Sequence, residues 1–390
     1  MAFLYKGLLE VYKKMVIGIF FSCIFACFFS YIAEYNGIYR PGKIYKFAIT
    51  LLVSSGLLIL LTANRTGYDA RNYQMFYKYI ALHKKNPWDY SYKFYSKLTM
   101  FFQLYLKNRT YFEFQAIILV IIGCFMVPRI NRLSLSYPMV VFLYLISGVF
   151  ASDGMQFKNF IAVCFLIMAL EFLQRGQGAI GIVKYIILIG IACLFHFSCI
   201  IYFVLPVVKN SFFKRIRVVF PVIGLIFYIV FLFGGQELLS VFLPIISKVP
   251  GLSKLAGYAN SFAGARSLVP VMLYFIGLIL LYLCRYNRKI LPKKLSDYNN
   301  LITNIWILMG IFLPTLAFAN APYRFYRNLY IPIFIVISNY LVSLRGISQK
   351  KSISSLFVLV YVLSIFLYPI ALGQARDIYA GIFDGTLFWR

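Results

Sequence analysis

The sequence contains few acidic residues and almost no histidine. Only 11 of its 390 residues are Asp or Glu, and its two histidines are His83 and His196. Two histidines without an HExxH motif do not form a zinc site of the usual spacing. The sequence also lacks a D-x-D pair and a glycine-rich phosphate loop. These absences argue against metal-dependent nucleotide chemistry and predict neither a metal site nor a cofactor.

The cysteines do not form a recognisable ligand or disulfide pattern. None belongs to a C-x-x-C motif, and all seven lie in apolar runs. This placement is typical of small buried hydrophobic residues. They are Cys23, Cys27, Cys124, Cys164, Cys193, Cys199 and Cys284.

Apolar residues, in contrast, make up 62% of the chain, and the mean hydropathy is +0.81. Apolar runs of roughly 15–20 residues recur along the whole length, and as helices they can cross a hydrocarbon core about 30 Å thick. The sequence therefore predicts an all-α polytopic integral membrane protein, in which residues 1–390 form a single membrane domain of about 12 transmembrane helices. The predicted spans are 15–33, 44–62, 111–127, 137–152, 156–174, 182–195, 197–208, 218–234, 267–284, 300–319, 330–344 and 353–372.

The formal net charge of +28 does not indicate a nucleic-acid partner, because no basic block stands apart from an apolar run. Basic residues in short loops are typical of the cytoplasmic side, which places 209–217, 285–294 and 345–351 inside. Counting spans from these loops, 235–266, 320–329 and the tail 373–390 are then predicted to lie outside. The positive charge would attract membrane lipid and an anionic lipid-linked substrate.

The orientation of the N-terminal half depends on residues 183–208. If this segment is one span, the chain has about 11 helices and the loop 63–110 lies inside. If it is a hairpin of two short helices that meet at His196, the loop lies outside. We favour the hairpin, because an ionisable side chain at membrane depth suits a turn near a wet cavity better than lipid.

The long loops are predicted to contain amphipathic helices. Helical spacing places Tyr73, Tyr77 and Ile80 on one face of the first, with basic residues on another. The segment after the HKKNPWD breaker repeats this pattern, with Tyr95 and Phe102 on its apolar face. Tyr-rich basic helices of this kind lie on membrane surfaces, and loop 235–266 is expected to add a third.

Two loop residues at the rim of the second span are candidates for chemistry. Asp69 is either the cap of the helix that begins at Ala70 or a general base. Arg65 either snorkels to the interface or binds a phosphate. His196, the hairpin residue, is either structural or a second candidate base.

A polar turn, SDGMQFKNF (152–160), separates two apolar runs. A tight turn accounts for Asp153 and the neighbouring Ser and Gly, but it does not account for Lys158 and Asn159 entering the next span. These residues are therefore candidates for a site.

A basic aromatic segment, NAPYRFYRNLY (320–330), precedes the predicted span 330–344. Arg324 and Arg327 are three residues apart and are neighbours on a helix face. Aromatic anchoring at the membrane interface is one interpretation of the segment. The other is an arginine clamp on a diphosphate beside sugar-stacking tyrosines such as Tyr323.

The order of these motifs resembles the EpsG-like branch of the Wzy-type bacterial polysaccharide polymerases. The similar features are an Arg followed by G-x-D-x-x-x-Y after the second span, a cation and an amide at a span entry (KNFIAVCF), LFHFSCII, and YRFYRN. They cover roughly residues 50–345. The span entry departs from that family, which usually has Arg-Gln where this chain has Lys158 and Asn159.

The resemblance implies an enzyme of the bacterial inner membrane that acts on its periplasmic face. It would transfer a growing glycan from undecaprenyl diphosphate to another lipid-linked repeat unit, as in O-antigen synthesis, without a metal. Its partners would be the lipid-linked donor and acceptor, membrane lipid and a chain-length regulator. The expected roles are catalytic base for Asp69, with His196 and Asp153 as runners-up; diphosphate binding for Arg65, Lys158, Arg324 and Arg327; and glycan binding for Tyr73, Tyr77, Asn159 and Tyr323.

Two other functions remain open from the sequence. One is a membrane glycosyltransferase that uses a polyprenyl-monophosphate sugar, which would also favour an Asp in the first outer loop. The other is a flippase for lipid-linked glycans, which would need cations deep in a central cavity. The polar residues here lie at span rims and in loops, which disfavours the flippase.

Overall fold

The computed structural model describes residues 2–35, 42–63, 67–83, 93–105, 110–175, 178–247, 267–286, 291–318, 322–344, 348–374 and 378–379. The first nine helices are α1 (Ala2–Tyr35), α2 (Lys43–Ala63), α3 (Tyr68–His83), α4 (Lys93–Tyr105), α5 (Tyr111–Leu133), α6 (Tyr137–Ile146), α7 (Val149–Met155), α8 (Phe157–Arg175) and α9 (Gly178–Phe195). A 3₁₀-helix, η1 (Phe197–Lys209), is followed by α10 (Ser211–Ile216), α11 (Val219–Ser247), α12 (Leu268–Tyr286), α13 (Lys293–Met309), η2 (Gly310–Phe312), α14 (Pro314–Phe318), α15 (Tyr323–Arg327), α16 (Tyr330–Ser343) and α17 (Ser348–Ala371).

Each predicted apolar window coincides with one of these helices or with consecutive helices, up to the three that cover 300–319 (α13, η2 and α14). Eight helical segments in the described part of the chain are long and apolar enough to cross a membrane, and α6 with α7 forms a further span bent by 77°. The helix η1 and the apolar part of α11, Val219–Gly234, are shorter. The prediction of an all-α polytopic membrane protein is therefore confirmed.

Helices α8 and α15–α16 form the centre of the bundle. In α8, 83% of the span is buried, and in Tyr323–Ser343 the share is 94%, whereas the other six single-helix spans are 22–44% buried. Small residues such as Ala162 and Ala169 are fully buried in α8, and small side chains let membrane helices approach closely. The outer helices expose apolar side chains, as a lipid-facing surface requires.

The two ends of the bundle differ in composition. Helix α8 has 19 residues and therefore spans about 28 Å. At its C-terminal end, which we call the basic end, Gln174 donates a hydrogen bond to the carbonyl of Lys294 (2.7 Å). At its N-terminal end, which we call the site end, lie the polar turn 152–160 and α15. The candidate residues of α7, α8 and α15 thus share one end.

The chain reverses direction at His196, as the hairpin interpretation predicts. Helix α9 ends at Phe195 and η1 begins at Phe197. Across this break the Tyr185 hydroxyl donates to the Tyr202 carbonyl at 2.5 Å, which a single straight span would place far apart. The break puts His196 at one end of an antiparallel pair.

The predicted amphipathic helices in the first long loop are present as α3 and α4. Tyr73, Tyr77 and Ile80 are buried along one face of α3, and Tyr95 and Phe102 are buried on α4. In the second loop, α11 continues as a helix from Gly234 to Ser247, so the first part of 235–266 extends a span. Residues 248–266 lie outside the described residues.

Candidate functional site

A bent helix pair carries the polar turn. Helix α6 ends at Ile146, and Gly148 adopts a left-handed conformation (φ 70°) that a side chain would strain. After the bend, a Cβ on Gly154 would lie 2.6 Å from the Leu61 carbonyl oxygen, so only glycine lets α7 approach the end of α2. Gln115 donates to the carbonyls of Leu61 (3.4 Å) and Gly154 (3.2 Å). These contacts fix the position of Asp153.

Asp153 and Arg327 lie at the centre of the site end. Their side chains are buried, with 2% and 9% of each residue exposed. Tyr144 donates to Asp153 Oδ2 (2.7 Å), and Arg327 Nη2 donates to Gln156 Oε1 (2.7 Å). The same Nη2 is 3.9 Å from Asp153 Oδ1. The carboxylate and the guanidinium are therefore near neighbours, and each has a stronger bond to a neutral partner.

An amide pair joins the same two segments. Asn159 Nδ2 donates to Asn328 Oδ1 (2.8 Å), and Asn328 Nδ2 donates back to Asn159 Oδ1 (3.3 Å). Both side chains are buried, and reciprocal bonds satisfy amides that would otherwise be costly to bury. The pair holds the start of α8 against the link between α15 and α16.

Lys158 faces the loop helices. Its ammonium lies 4.9 Å from the ring centre of Tyr73 on α3 and 5.6 Å from that of Tyr95 on α4. Only 6% of the residue is exposed, so the cation is held by aromatic faces in a desolvated position. The loop helices thus pack directly on the polar turn, at the same end as Asp153 and Arg327.

Asp69 lies at the start of α3, one turn before Tyr73. The helix begins at Tyr68, and the Arg71 amide donates to the Gly67 carbonyl. Asp69 is therefore inside the first turn rather than the cap of a helix beginning at Ala70, and the helix dipole favours its negative charge there. Asp69 is half-buried and shares a helix face with Tyr73.

The remaining cationic and histidine candidates are His196, Arg324 and Arg65. His196 Nδ1 is 2.5 Å from Ser198 Oγ. Arg324 is half-buried in α15, and the nearby Phe325 carbonyl accepts a hydrogen bond from Tyr202 of η1 (2.9 Å). Arg65 lies outside the described residues.

Two of the predicted glycan-binding tyrosines are packed into clusters of aromatic rings. Tyr77 lies against Phe114 and Tyr111 of α5, and burial, together with the charge of Glu113, raises the pKa of Tyr77 to about 12. The Tyr323 hydroxyl bonds to the Tyr330 hydroxyl (2.5 Å), and its ring is 4.2 Å from that of Tyr368. Both tyrosines are buried among the described residues, with 3% of Tyr77 and 8% of Tyr323 exposed.

Several residues of the site were not among the predicted functional residues. Gln156 lies in the polar turn 152–160 and Asn328 in the segment 320–330, so a polar residue type within these segments was the signal that could have identified them. Gln115 is a polar residue inside an apolar span, which is a weaker signal of the same kind. Tyr144 resembles the many other tyrosines of the chain, and nothing in the sequence distinguishes it.

Within the described residues, no group of three or more His, Cys, Asp or Glu side chains is arranged to hold a metal ion. The site therefore offers cations, amides and phenols rather than a set of metal ligands. Such a set can bind phosphate oxygens and sugar hydroxyls.

Comparison with known proteins identifies the family of the chain. A family model described as the EpsG family matches residues 47–377. No curated protein and no solved structure matches the chain. The matched range contains every helix from α3 to α17 and all of the candidate residues. The chain belongs to the EpsG family, a family of Wzy-like polymerase-type membrane proteins.

Proposed function

We propose that the protein is a membrane glycosyltransferase that joins oligosaccharide repeat units carried on undecaprenyl diphosphate into O-antigen or a related polysaccharide. The growing glycan moves from its lipid diphosphate to the non-reducing end of another lipid-linked unit. Family membership supports the class of reaction. The observation that carries the proposal is the buried cluster of Arg327, Asp153 and Gln156, next to Lys158.

The cations of this cluster suit a diphosphate leaving group. A guanidinium has five N–H donors. Arg327 Nη2 donates a hydrogen bond to Gln156, whereas Arg327 Nε makes no hydrogen bond with the described residues. Lys158 and Arg324 add two further positive charges at this end of the bundle. Fixed cations in a site with little water stabilise the charge that develops as the diphosphate leaves. Arg65, which lies outside the described residues, is proposed as a further diphosphate-binding cation.

Asp69 is the favoured base. The acceptor hydroxyl attacks the anomeric carbon of the donor, the bond from that carbon to the diphosphate oxygen breaks, and the hydroxyl proton passes to the carboxylate. Asp153 is a weaker candidate, because it is buried, Tyr144 donates to its Oδ2, and the Arg327 cation lies 3.9 Å from its Oδ1. Asp69 is more accessible and lies one turn from Tyr73, the ring that faces Lys158.

The aromatic and amide candidates shape the site around these charges. Tyr73 positions Lys158, and Asn159 positions the link to α16 through Asn328. Tyr77 and Tyr323 form the packed walls behind them. Contacts to sugar would then come from the edges of these groups as the glycan enters between α3 and α15.

The proposed orientation places the site end at the periplasmic face of the inner membrane. Arg129, Arg132 and Arg175 lie at the opposite end of α5 and α8, together with Lys294. Basic residues favour the cytoplasmic side, which leaves Asp69, Asp153 and Arg327 on the other side.

Reconstitution tests the reaction. The purified chain in liposomes receives lipid-diphosphate-linked repeat units and no other donor, and we expect ladders of increasing glycan length. Activity only with a polyprenyl-monophosphate sugar would replace this proposal with the alternative glycosyltransferase. Movement of lipid-linked glycan across the vesicle without bond formation would replace it with a flippase.

The role of Asp69 has its own test. Asp69→Asn keeps the shape of the side chain and removes the base, so we expect the rate of ladder growth to fall by about 10² or more. Asp297→Asn, a change at an exposed acid of α13, is the matched control and should leave the rate unchanged. Wild-type rates in Asp69→Asn would remove Asp69 from the mechanism.

A further inference from the structure

An apolar cleft lies on the side of the bundle, next to the buried polar cluster of the site end. Its walls are α2, α5 and α6, and it encloses a volume of about 90 Å³. The Ser54 and Tyr137 hydroxyls in its wall bond to each other (2.8 Å), so these polar atoms are satisfied within the protein. Leu57, Ile122 and Val127 are partly exposed along the wall, so the cleft faces the bilayer. What fills it must be apolar.

One end of the cleft meets the buried polar cluster. Tyr144 lines the cleft, and its hydroxyl donates to Asp153. Phe160, the next residue after Asn159, also lines it. Ile331 lines it from the start of α16, four residues after Arg327 along the chain. An apolar channel and a set of cations therefore share one boundary.

We propose that this cleft binds the diphosphate-proximal part of the polyprenyl chain of the lipid-linked substrate. The inference rests on the proposed function, and it names the part of the protein that holds the lipid. An amphiphile with an apolar chain and a doubly charged head matches an apolar cleft bordered by Tyr144, whose partner Asp153 lies 3.9 Å from Arg327. A diphosphate can form more charge-assisted hydrogen bonds with the cations of the site end than the single phosphate of an ordinary phospholipid can.

The size of the cleft limits how much of the chain it holds. An apolar cavity of about 150 Å³ accepts the six carbons of a benzene ring, so a cavity of about 90 Å³ accepts roughly three to four carbons, which is most of one five-carbon isoprene unit. The rest of the chain would lie in the bilayer along α2 and α5. The cleft thus sets the position of the diphosphate and leaves the remote end of the lipid free.

Gly123 offers a direct way to close the cleft. It lines the cleft from α5, and a Cβ built on it would meet no atom within 4 Å. Gly123→Leu therefore adds a side chain to empty space, and leucine is a better helix former than glycine. Gly18 of α1 has equally open surroundings, is exposed, and does not line the cleft. Gly18→Leu is the matched control.

Binding of undecaprenyl diphosphate without a glycan is the measurement. The full chain in nanodiscs receives a radiolabelled, photoreactive form of this lipid, and phosphatidylglycerol is the competitor. We expect saturable labelling of α2 or α5 in the wild type and in Gly18→Leu. In Gly123→Leu we expect at least about tenfold weaker binding, because the first isoprene unit can no longer be buried.

Equal affinity of Gly123→Leu and the wild type would overturn the proposal. Displacement by phosphatidylglycerol at the same concentration as by unlabelled undecaprenyl diphosphate would overturn it as well, because the cleft would then be a general lipid site. If Gly123→Leu does not give a monodisperse protein, Val127→Phe provides a second obstruction from the same wall, and the same outcomes apply.

The lipid-binding assay separates this inference from the proposed reaction. Loss of lipid binding in Gly123→Leu, with no ladder from the wild type, would support the cleft and refute the polymerase. Ladders from the wild type, with an unchanged KM for the lipid-linked unit in Gly123→Leu, would support the polymerase and refute the cleft.

Discussion

The two ends of α8 use the same residue types in opposite ways. At the basic end, the buried carboxylate of Glu171 meets three arginines: Arg175 at 2.6 Å, Arg132 at 3.1 Å and Arg129 at 3.2 Å. At the site end, the carboxylate of Asp153 lies 3.9 Å from a single arginine, Arg327. The first carboxylate is surrounded by cations, whereas the second is held by a phenol and has an arginine within reach.

This difference indicates that the basic end holds helices together, whereas the site end is suited to binding an anion. The side chains of Arg129, Arg132 and Arg175 are 20%, 49% and 36% exposed, so water and lipid headgroups share their charge, and Glu171 ties α5 to α8. Arg327 is buried, and its closest partner is the neutral Gln156. A buried cation that is bonded to a neutral group keeps its attraction for an anion. Four substitutions test this contrast.

Arg327→Lys should have the largest effect. Lysine keeps the charge but lacks the planar fork that reaches Gln156 and a phosphate together. We expect the rate of ladder growth to fall by about 10²–10³, measured with radiolabelled lipid-linked units at equal protein levels. Arg132→Lys at the basic end is the control and should stay within about twofold. Equal losses in both variants would remove the distinction between the two ends.

Glu171→Gln should break the basic end without affecting the chemistry. It leaves three neighbouring arginines without their carboxylate, and we expect a loss of about 2 kcal/mol, below the usual range for a buried pair because the arginines are partly exposed. Thermal unfolding in detergent would show a lower Tm, while the rate per folded molecule stays unchanged. A normal Tm together with a lost activity would contradict the anchoring role.

Lys158→Met should weaken substrate binding more than turnover. The substitution keeps the length of the side chain over Tyr73 and Tyr95 and removes the charge, so we expect about a tenfold rise in KM for the lipid-linked unit. Lys97→Met, a change at an exposed lysine of α4, is the control. A fall in kcat at constant KM would instead assign Lys158 to the transition state.

Tyr379→Phe should have the smallest effect. The Tyr379 hydroxyl donates to the Phe366 carbonyl (3.1 Å), and its ring stacks on Phe366 beside the bend at Gly148. Losing the bond should cost about 1 kcal/mol and leave the rate of ladder growth unchanged. A large loss of activity would show that the C-terminal segment holds the bend in its active position.

Much of the fold followed from local patterns in the sequence. Apolar length predicted the spans, helical spacing predicted the buried faces of α3 and α4, and one ionisable residue predicted the reversal at His196. The bend between α6 and α7 was not predicted, since residues 137–152 are as apolar as a straight span. The bend turns at Gly148, and the helix after it packs Gly154 against Leu61, a contact that joins distant parts of the chain.

The site followed less completely, because its contacts are between distant segments. Asn159 and Asn328 are 169 residues apart, and their residue types alone do not reveal that they pair. The sequence indicated that Lys158, Asp153 and Arg327 belong together, and the structure places them at one end of the bundle. It could not show that Lys158 faces tyrosines or that Tyr323 is enclosed by other rings, since packing in a membrane follows shape.

The helix η1 has a mechanical consequence for this site. A 3₁₀-helix rises about 2.0 Å per residue against 1.5 Å in an α-helix, so the 13 residues of Phe197–Lys209 are stretched to about 26 Å. Rewinding them as an α-helix would shorten the segment by about 6 Å. Because Tyr202 is bonded to the Phe325 carbonyl, that contraction would pull on the short helix between Arg324 and Arg327. A change in the helical form of η1 would therefore act on the helix that carries Arg324 and Arg327.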